Sequence, residues 1–303
     1  MKIYKSTDKL IENKKCVLAL GNFDGVHKGH AKLFSLAKKY AKEHECLFGV
    51  YTFEKHPRFD EGLLTLNSEK CELIKQSGAD FVYLEDFDMV KALKPCDFVA
   101  YISDKFGAVC TVCGENFRFG KNAMGNCSDL KALMNSCGFD TIIVPTLLYG
   151  AKPISSTVIR SEIENGRIEQ ANELLGYNYG FSAQIVHGAR IGHTIGFPTV
   201  NQFIPKEKIC PKHGVYVSTV EIDKSKLCGV TNIGIKPTVS STSDVLSETY
   251  IIDFDGDLYG KIARISLYKL LRTEKKFSGL DELAENIKNN VVETKKYFEG
   301  NNI

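Results

Sequence analysis

The sequence has no excess of charge of either sign: 39 lysines and arginines face 37 aspartates and glutamates, a net charge of +2. No face-wide basic run accompanies that balance, so neither a nucleic acid nor a membrane is expected as a partner. No apolar run approaches the ~20 residues that cross a bilayer. The stretch from Met1 to Lys15 is polar and lacks the apolar centre of a secretion signal, so a cytoplasmic location is expected. Internal repeats and low-complexity segments are also missing. Ten cysteines are present, but zinc-site spacing is not. Cys110 and Cys113 form a close pair with no second Cys or His pair to complete four ligands. Their setting, Ala108-Val109-Cys110-Thr111-Val112-Cys113, reads as a buried strand, where free cysteine is common.

What is present is the ordinary mixture of a globular chain, 43% hydrophobic and 25% charged, over 303 residues. That length accommodates two domains with separate cores. The first half alternates short apolar strands with helical patterns. Cys16 to Leu20, Cys46 to Phe53, Asp80 to Leu84, Ala108 to Cys113 and Asp140 to Val144 read as strands. Lys28 to His44, Ser68 to Gln76, Pro95 to Phe106 and Ser128 to Cys137 read as helices, with Ser68 and Ser128 as N-caps and Pro95 in a first turn. This alternation predicts a parallel α/β sheet with ligands at the carboxyl ends of its strands.

The pattern changes near Gly176-Tyr177-Asn178-Tyr179-Gly180, which puts the boundary between domains 1–178 and 179–303. Six strands follow: Phe181 to His187, Phe197 to Asn201, Val215 to Ile222, Cys228 to Ile235, Leu246 to Phe254 and Leu258 to Tyr268. Asp255-Gly256 reads as a hairpin between the last two. An amphipathic helix from Leu280 to about Phe298 closes the chain, with Gly300 as its stop. Six strands and one helix predict a small closed barrel with a helix outside.

Gly21-Asn22-Phe23-Asp24-Gly25-Val26-His27-Lys28-Gly29-His30 follows the first strand and opens the first helix. Backbone N–H groups and the helix dipole favour phosphate there. Gly29 presents no side chain to an approaching phosphate. His27 and His30 are one turn apart and can donate to the same group. Adenylyl transfer needs such a place, because it demands charge stabilisation and alignment rather than a protein nucleophile.

This string is similar to the nucleotidylyltransferase motif of bacterial bifunctional riboflavin kinase/FMN adenylyltransferases. Three further segments resemble that family in order. They are Thr52-Phe53-Glu54-Lys55-His56-Pro57-Arg58, with Lys55 where Pro is usual; Gly114-Glu115-Asn116-Phe117-Arg118-Phe119-Gly120; and Ile154-Ser155-Ser156-Thr157-Val158-Ile159-Arg160. The resemblance implies an N-terminal Rossmann-like nucleotidylyltransferase domain with a parallel sheet. Its ATP and phosphate site would draw on Gly21, Asn22, Phe23, Asp24, Gly29, Asn116, Ser155, Ser156, Thr157 and Arg160. Phe53, His56, Arg58 and Phe117 would serve the flavin. Each also has a plain structural role to offer: Ser155, Ser156 and Thr157 as helix caps, Phe117 and Phe119 as core.

The second informative run is Gly188-Ala189-Arg190-Ile191-Gly192-His193-Thr194-Ile195-Gly196-Phe197-Pro198-Thr199-Val200-Asn201. Gly188, Gly192 and Gly196 suggest a loop lying close over a ligand, and the ending of a Walker loop is absent. Thr199 and Asn201, two apart on a strand, share a face and can both offer oxygen to an ATP-bound Mg²⁺. Glu248 is the one carboxylate on a face with Leu246, Tyr250, Ile252 and Phe254. Read as inward-facing, it is either a salt-bridge partner at a wet barrel mouth or a general base for an alcohol.

The run from Gly196 to Asn201 resembles the riboflavin kinase motif, with Val200 in place of Ala and His193 in place of Arg. Ser247-Glu248-Thr249 and Leu271-Arg272-Thr273 recur in family order. The resemblance implies a riboflavin-kinase-like β-barrel with a terminal helix. Gly188, Gly192, Gly196 and Pro198 would lie on the nucleotide, Thr199 and Asn201 on Mg²⁺, Glu248 on the riboflavin 5′-hydroxyl and Arg272 near the flavin. An Asp common in the family's final helix is Asn290 here. The expected partners are riboflavin, FMN and ATP, and the expected state is a monomer or weak homo-oligomer. A single active domain, a transferase for another phosphate acceptor, and a flavin-binding protein without turnover remain the alternatives.

Overall fold

The computed structural model describes residues 1–8, 14–55, 62–188, 192, 195–235 and 244–301. Backbone contacts divide the chain into two compact units, Met1–Ser156 and Thr157–Ile303. That division falls ahead of the boundary read from the sequence, because two helices following Ser155 group with the second unit.

The first unit runs β1 (Lys2–Lys5), β2 (Cys16–Leu20), α1 (Lys28–Glu43), β3 (Leu47–Phe53), α2 (Asn67–Gln76), β4 (Phe81–Glu85), α3 (Phe87–Val90), α4 (Pro95–Phe106), β5 (Ala108–Gly114), β6 (Arg118–Phe119), β7 (Gly125–Asn126), α5 (Cys127–Ser136), β8 (Asp140–Val144), β9 (Leu148–Tyr149) and β10 (Lys152–Pro153). Six strands form one parallel sheet in the order β1-β4-β3-β2-β5-β8. Strand β1 was not expected. It is a polar edge strand with only Tyr4 buried, so it carries no apolar alternation to read.

Buried residues of the two faces form separate clusters. Val17, Ala19, Val50 and Cys110 meet Leu33, Phe34 and Ala37 of α1. Leu18, Leu20, Tyr51 and Cys113 meet Phe98 and Ile102 of α4 and Leu130 of α5. Cys110 and Cys113 thus lie on opposite faces as free thiols and cannot share a metal. Pro95 opens α4 as expected, but the caps predicted at Ser68 and Ser128 are displaced. Asn126 caps α5, accepting from the N–H groups of Ser128 and Asp129. Leu66 precedes α2, and its N–H donates to the Glu69 carboxylate. A sequence pattern places a cap only to within a residue or two.

From β2 the chain moves outward through β3 and β4, then returns to lay β5 on the other side of β2. The sheet's switch point therefore lies between β2 and β5, where α/β sheets hold ligands. The loops leaving these strands are the Gly21 to His27 run and the Gly114 to Phe117 turn.

The second unit contains α6 (Ser156–Glu164, whose first residue belongs to the first unit), α7 (Ile168–Leu175), β11 (Gly180–Gln184), β12 (Thr199–Phe203), β13 (Gly214–Ile222), β14 (Ser225–Ile235), β15 (Val245–Ile251), β16 (Ile262–Thr273) and α8 (Leu280–Asn301). The antiparallel order is β11-β16-β13-β14-β15-β12. The two edges approach through a Val186–Asn201 bridge and through Gln202 Nε2, which donates to the carbonyls of Ala183 and Ala263. The result is a nearly closed barrel. Its interior contains a polar chain, Ser218 Oγ to Thr231 Oγ1 at 2.7 Å and Thr231 Oγ1 to Thr249 Oγ1 at 2.8 Å. Val291 and Phe298 of α8 pack outside, against Val215, Val217 and Tyr268.

Two expectations fail here. Asp255-Gly256 does not join paired strands: β15 pairs with β12 and β14, and β16 pairs with β11 and β13. The tight hairpin is at Asp223-Lys224, between β13 and β14, where φ is 50° and 72°. Helix α8 also continues through Gly300 to Asn301.

Candidate functional site

In the first unit, the loop after β2 is held in an unusual shape. Phe23 and Val26 have φ of 50° and 36°, and Gly25 has 81°. A β-branched residue at positive φ is strained by about 1–3 kcal/mol, so its surroundings must impose the shape. Those surroundings are visible. The buried Asp24 carboxylate accepts from the N–H groups of Leu64 and Thr65 at 3.1 and 3.0 Å. The Gly25 N–H donates to Thr65 Oγ1 at 3.0 Å. Thr52 Oγ1 donates to the Asn22 carbonyl at 2.8 Å, and Ser156 Oγ to the Asp24 carbonyl at 2.9 Å. Three motifs distant in the chain meet at one loop.

His27 is the N-cap of α1, its Nδ1 accepting the His30 N–H at 3.4 Å. The two imidazoles stack with centroids 3.6 Å apart, and Phe23 stands edge-on to His30 at 5.1 Å. Burial pushes the His27 pKa down to about 4, against a smaller opposing pull from Asp24. Burial, His27 and the Lys70 ammonium push His30 well below its usual value. Both rings are therefore neutral at neutral pH and offer N–H donors without proton exchange. A Cβ at Gly29 would stand 3.0 Å from the His27 ring, so the glycine leaves room for that imidazole.

The predicted residues sort by environment. Asn22 is exposed and Gly21 half-buried, whereas Phe23 is buried against Phe34. Asp24 is spent on the loop's own scaffold. Asn116 is exposed in a turn closed by the Phe117 N–H on the Gly114 carbonyl. Phe119 is core, packed on Phe98, and Phe117 stacks over it half-exposed. Phe53 is half-buried, with Phe87 edge-on to it. Ser155 is half-buried, Thr157 exposed, and Arg160 buried one turn further along α6. His56 and Arg58 lie outside the described residues. Sequence reasoning passed over Lys70, which is buried under Thr52; beside polar Ser68 and Glu69 no sequence pattern sets it apart.

In the second unit, the strand register aligns Asn201, Glu248 and Asn232 side by side on β12, β15 and β14. Residues directly opposite share a face. Thr199 stands beside Tyr250 in the next row on that face. The face is the outer one. Tyr250 and Ile252 lie with Val230 and with Val291 of α8, whereas Ser247 and Thr249 are fully buried on the other side. Glu248 therefore does not point into the barrel as expected. It is half-buried outside and has no hydrogen bond or ion pair among the described residues.

Asn201 Nδ2 donates to the Thr199 carbonyl at 3.3 Å, while its buried Oδ1 has no partner among the described residues. A Cβ at Gly188 would fall 2.5 Å from Asn201 Nδ2. The glycine thus lies directly against that amide. Gly192 accepts the Phe197 N–H at 2.8 Å, and Gly196 and Pro198 are exposed. Arg272 Nε donates to Asn290 Oδ1 at 3.3 Å, with the guanidinium 5.3 Å from the Phe277 ring.

Comparison with known proteins agrees with both halves. The FAD synthetase family matches residues 9–158, and the riboflavin kinase family matches residues 175–298. The bifunctional riboflavin kinase/FMN adenylyltransferase of Bacillus subtilis (strain 168) is 35% identical, over 95% of this chain and 94% of the relative. The enzyme of the same name from Escherichia coli (strain K12) is 34% identical, over 93% of each. A crystal structure described as a macrolide-efflux protein from Streptococcus pneumoniae superposes with a TM-score of 0.89. It is 29% identical, over 97% of this chain and 99% of that one. Among the described residues no helix is long and apolar enough to cross a membrane. Identity of this extent, over nearly the full length of both chains, means that the chain belongs to the bifunctional riboflavin kinase/FMN adenylyltransferase family.

Proposed function

We propose that the chain performs its family's two reactions, riboflavin to FMN and FMN to FAD, with separate sets of residues. In the kinase step, Glu248 accepts the proton of the riboflavin 5′-hydroxyl. The freed oxygen bonds to the γ-phosphorus of ATP, and the bond to the β-phosphate oxygen breaks to release ADP. The buried Oδ1 of Asn201, which has no partner among the described residues and lies one strand from Glu248, carries this reading. A buried amide oxygen without a donor suits a hard cation, and the neighbouring Thr199 hydroxyl adds a second oxygen. Mg²⁺ carried by ATP would be held by these two and would neutralise phosphate charge. Gly188, Gly192, Gly196 and Pro198 would lie over the nucleotide, and Arg272 near the flavin.

In the adenylyl step, a phosphate oxygen of FMN attacks the α-phosphorus of a second ATP, and pyrophosphate leaves. Nothing must be deprotonated, which suits two neutral imidazoles at a helix N-terminus. His27 and His30 donate to the phosphates, with Gly21, Asn22, Gly29, Asn116, Ser155, Thr157 and Arg160 around ATP. Phe53, His56, Arg58 and Phe117 would receive the flavin. The Phe23 ring, the Asp24 carboxylate and the Ser156 hydroxyl build the loop, which leaves their backbone groups to the substrate. The functional division falls at 178/179. We further propose a cytoplasmic monomer or weak homo-oligomer; ten free thiols suit a reducing compartment.

Flavin chromatography tests the assignment. Glu248→Ala should block FMN formation from riboflavin yet convert supplied FMN to FAD. His27→Ala should do the reverse. Full activity in either blocked step would remove that residue from its role.

A further inference from the structure

Lys70 lies on α2, 6% exposed, with its ammonium drawn to the carboxyl end of β3. Its Nζ donates to the Phe53 carbonyl at 2.9 Å and to Thr52 Oγ1 at 3.3 Å. No described carboxylate approaches within ion-pair distance. A buried ammonium of this kind is costly to hold, and a hydrophobic residue would fill a helix–sheet contact more cheaply. The hydrogen bonds continue past it. Thr52, itself fully buried, donates a hydrogen bond from its hydroxyl to the Asn22 carbonyl at 2.8 Å. Across a trans peptide the N–H points opposite to the C=O. Turning the Asn22 carbonyl in toward Thr52 thus turns the Phe23 N–H away, toward the loop's other side. That N–H has no partner among the described residues. The same ammonium is near enough to His30 to hold down its protonation.

We infer that Lys70 is a positioning residue for adenylyl transfer, acting through Thr52 to aim the Phe23 N–H at substrate phosphate and adding fixed positive charge behind the histidine pair. The inference rests on the transferase site proposed above. Among the described residues, the groups that act on or are acted on by Lys70 are Asp24, which favours its ammonium, His30, which is neutral, and Cys71, whose thiol burial keeps protonated. Burial lowers the Lys70 pKa to about 8, with Asp24 opposing the shift. Its charge is therefore present at neutral pH and is lost as the pH rises through that value.

The test is steady-state adenylylation of supplied FMN by the full chain, measured across pH for Lys70→Met, Lys70→Arg and Thr52→Val. Riboflavin phosphorylation by the same preparations reports the intact second unit. Expected is a loss of kcat of at least ~10-fold in Lys70→Met and Thr52→Val, with KM for FMN nearly unchanged and phosphorylation untouched. The wild-type rate should decline above a pH of about 8, and Lys70→Arg should restore rate and extend it to higher pH. If Lys70→Met keeps the wild-type kcat and alkaline limb, the inference is wrong. His27→Ala, run alongside, separates the two levels: an inactive His27→Ala with an unaffected Lys70→Met sinks only the role of Lys70.

Discussion

Acid should loosen the first unit through His27, by an amount that follows from its burial. The imidazole is held at a pKa of about 4 in the folded chain, against 6.5 for an ordinary histidine. The unfolded chain therefore binds more protons between these values. The stability that neutral His27 provides is complete above the unfolded pKa and is lost as the pH falls toward the folded one. Between about pH 7.5 and about pH 5 this linkage removes roughly 2 kcal/mol. His30, displaced in the same direction, adds to the loss. The reference is His27→Asn, which keeps an N-cap side chain for α1 but cannot titrate. Urea unfolding of both proteins at the two pH values, followed by circular dichroism, gives the difference directly. The variant should lose about 2 kcal/mol less than the wild type on acidification. Parallel losses in the two proteins would refute the claim that His27 is buried and neutral.

Two further substitutions test the scaffolds. Gly188→Ala would press a methyl group to within 2.5 Å of Asn201 Nδ2. Riboflavin kinase activity should fall by at least ~10-fold while adenylylation of supplied FMN is unchanged; an unimpaired kinase would remove Asn201 from the metal site. Asp24→Ala leaves the Leu64 and Thr65 N–H groups without their acceptor. It should destabilise the first unit by about 2 kcal/mol or more, visible as a lowered Tm, and an unchanged Tm would contradict the anchoring role.

The parallel sheet and the places of its motifs were legible because buried strands and amphipathic helices differ in period, and because a phosphate loop must follow a strand. The barrel was legible in strand number but not in its turns. Asp255-Gly256 has the composition of a hairpin, yet the pairing of β15 and β16 is decided by barrel closure, which no local pattern reports. Asp223-Lys224 makes the real turn without glycine. Glu248 exposed a second limit. Alternation correctly put it on the face of Tyr250 and Ile252, but α8 makes the outside of the barrel apolar while Ser218, Thr231 and Thr249 make part of the inside polar. Apolar neighbours therefore did not mean inward. Lys70 was invisible for a related reason: one lysine in a polar helix start is indistinguishable by sequence from a solvated one, and only the fold folds it under Thr52.

The central claim is that two independent sets of residues in one chain make FMN and then FAD. Mixing the two blocked variants tests it most directly. Neither Glu248→Ala nor His27→Ala alone should make FAD from riboflavin, ATP and Mg²⁺, whereas an equimolar mixture should, with FMN released by one protein and adenylylated by the other. FAD formed from riboflavin by either variant alone, or none formed by a mixture whose members each retain their unblocked step, would contradict the account.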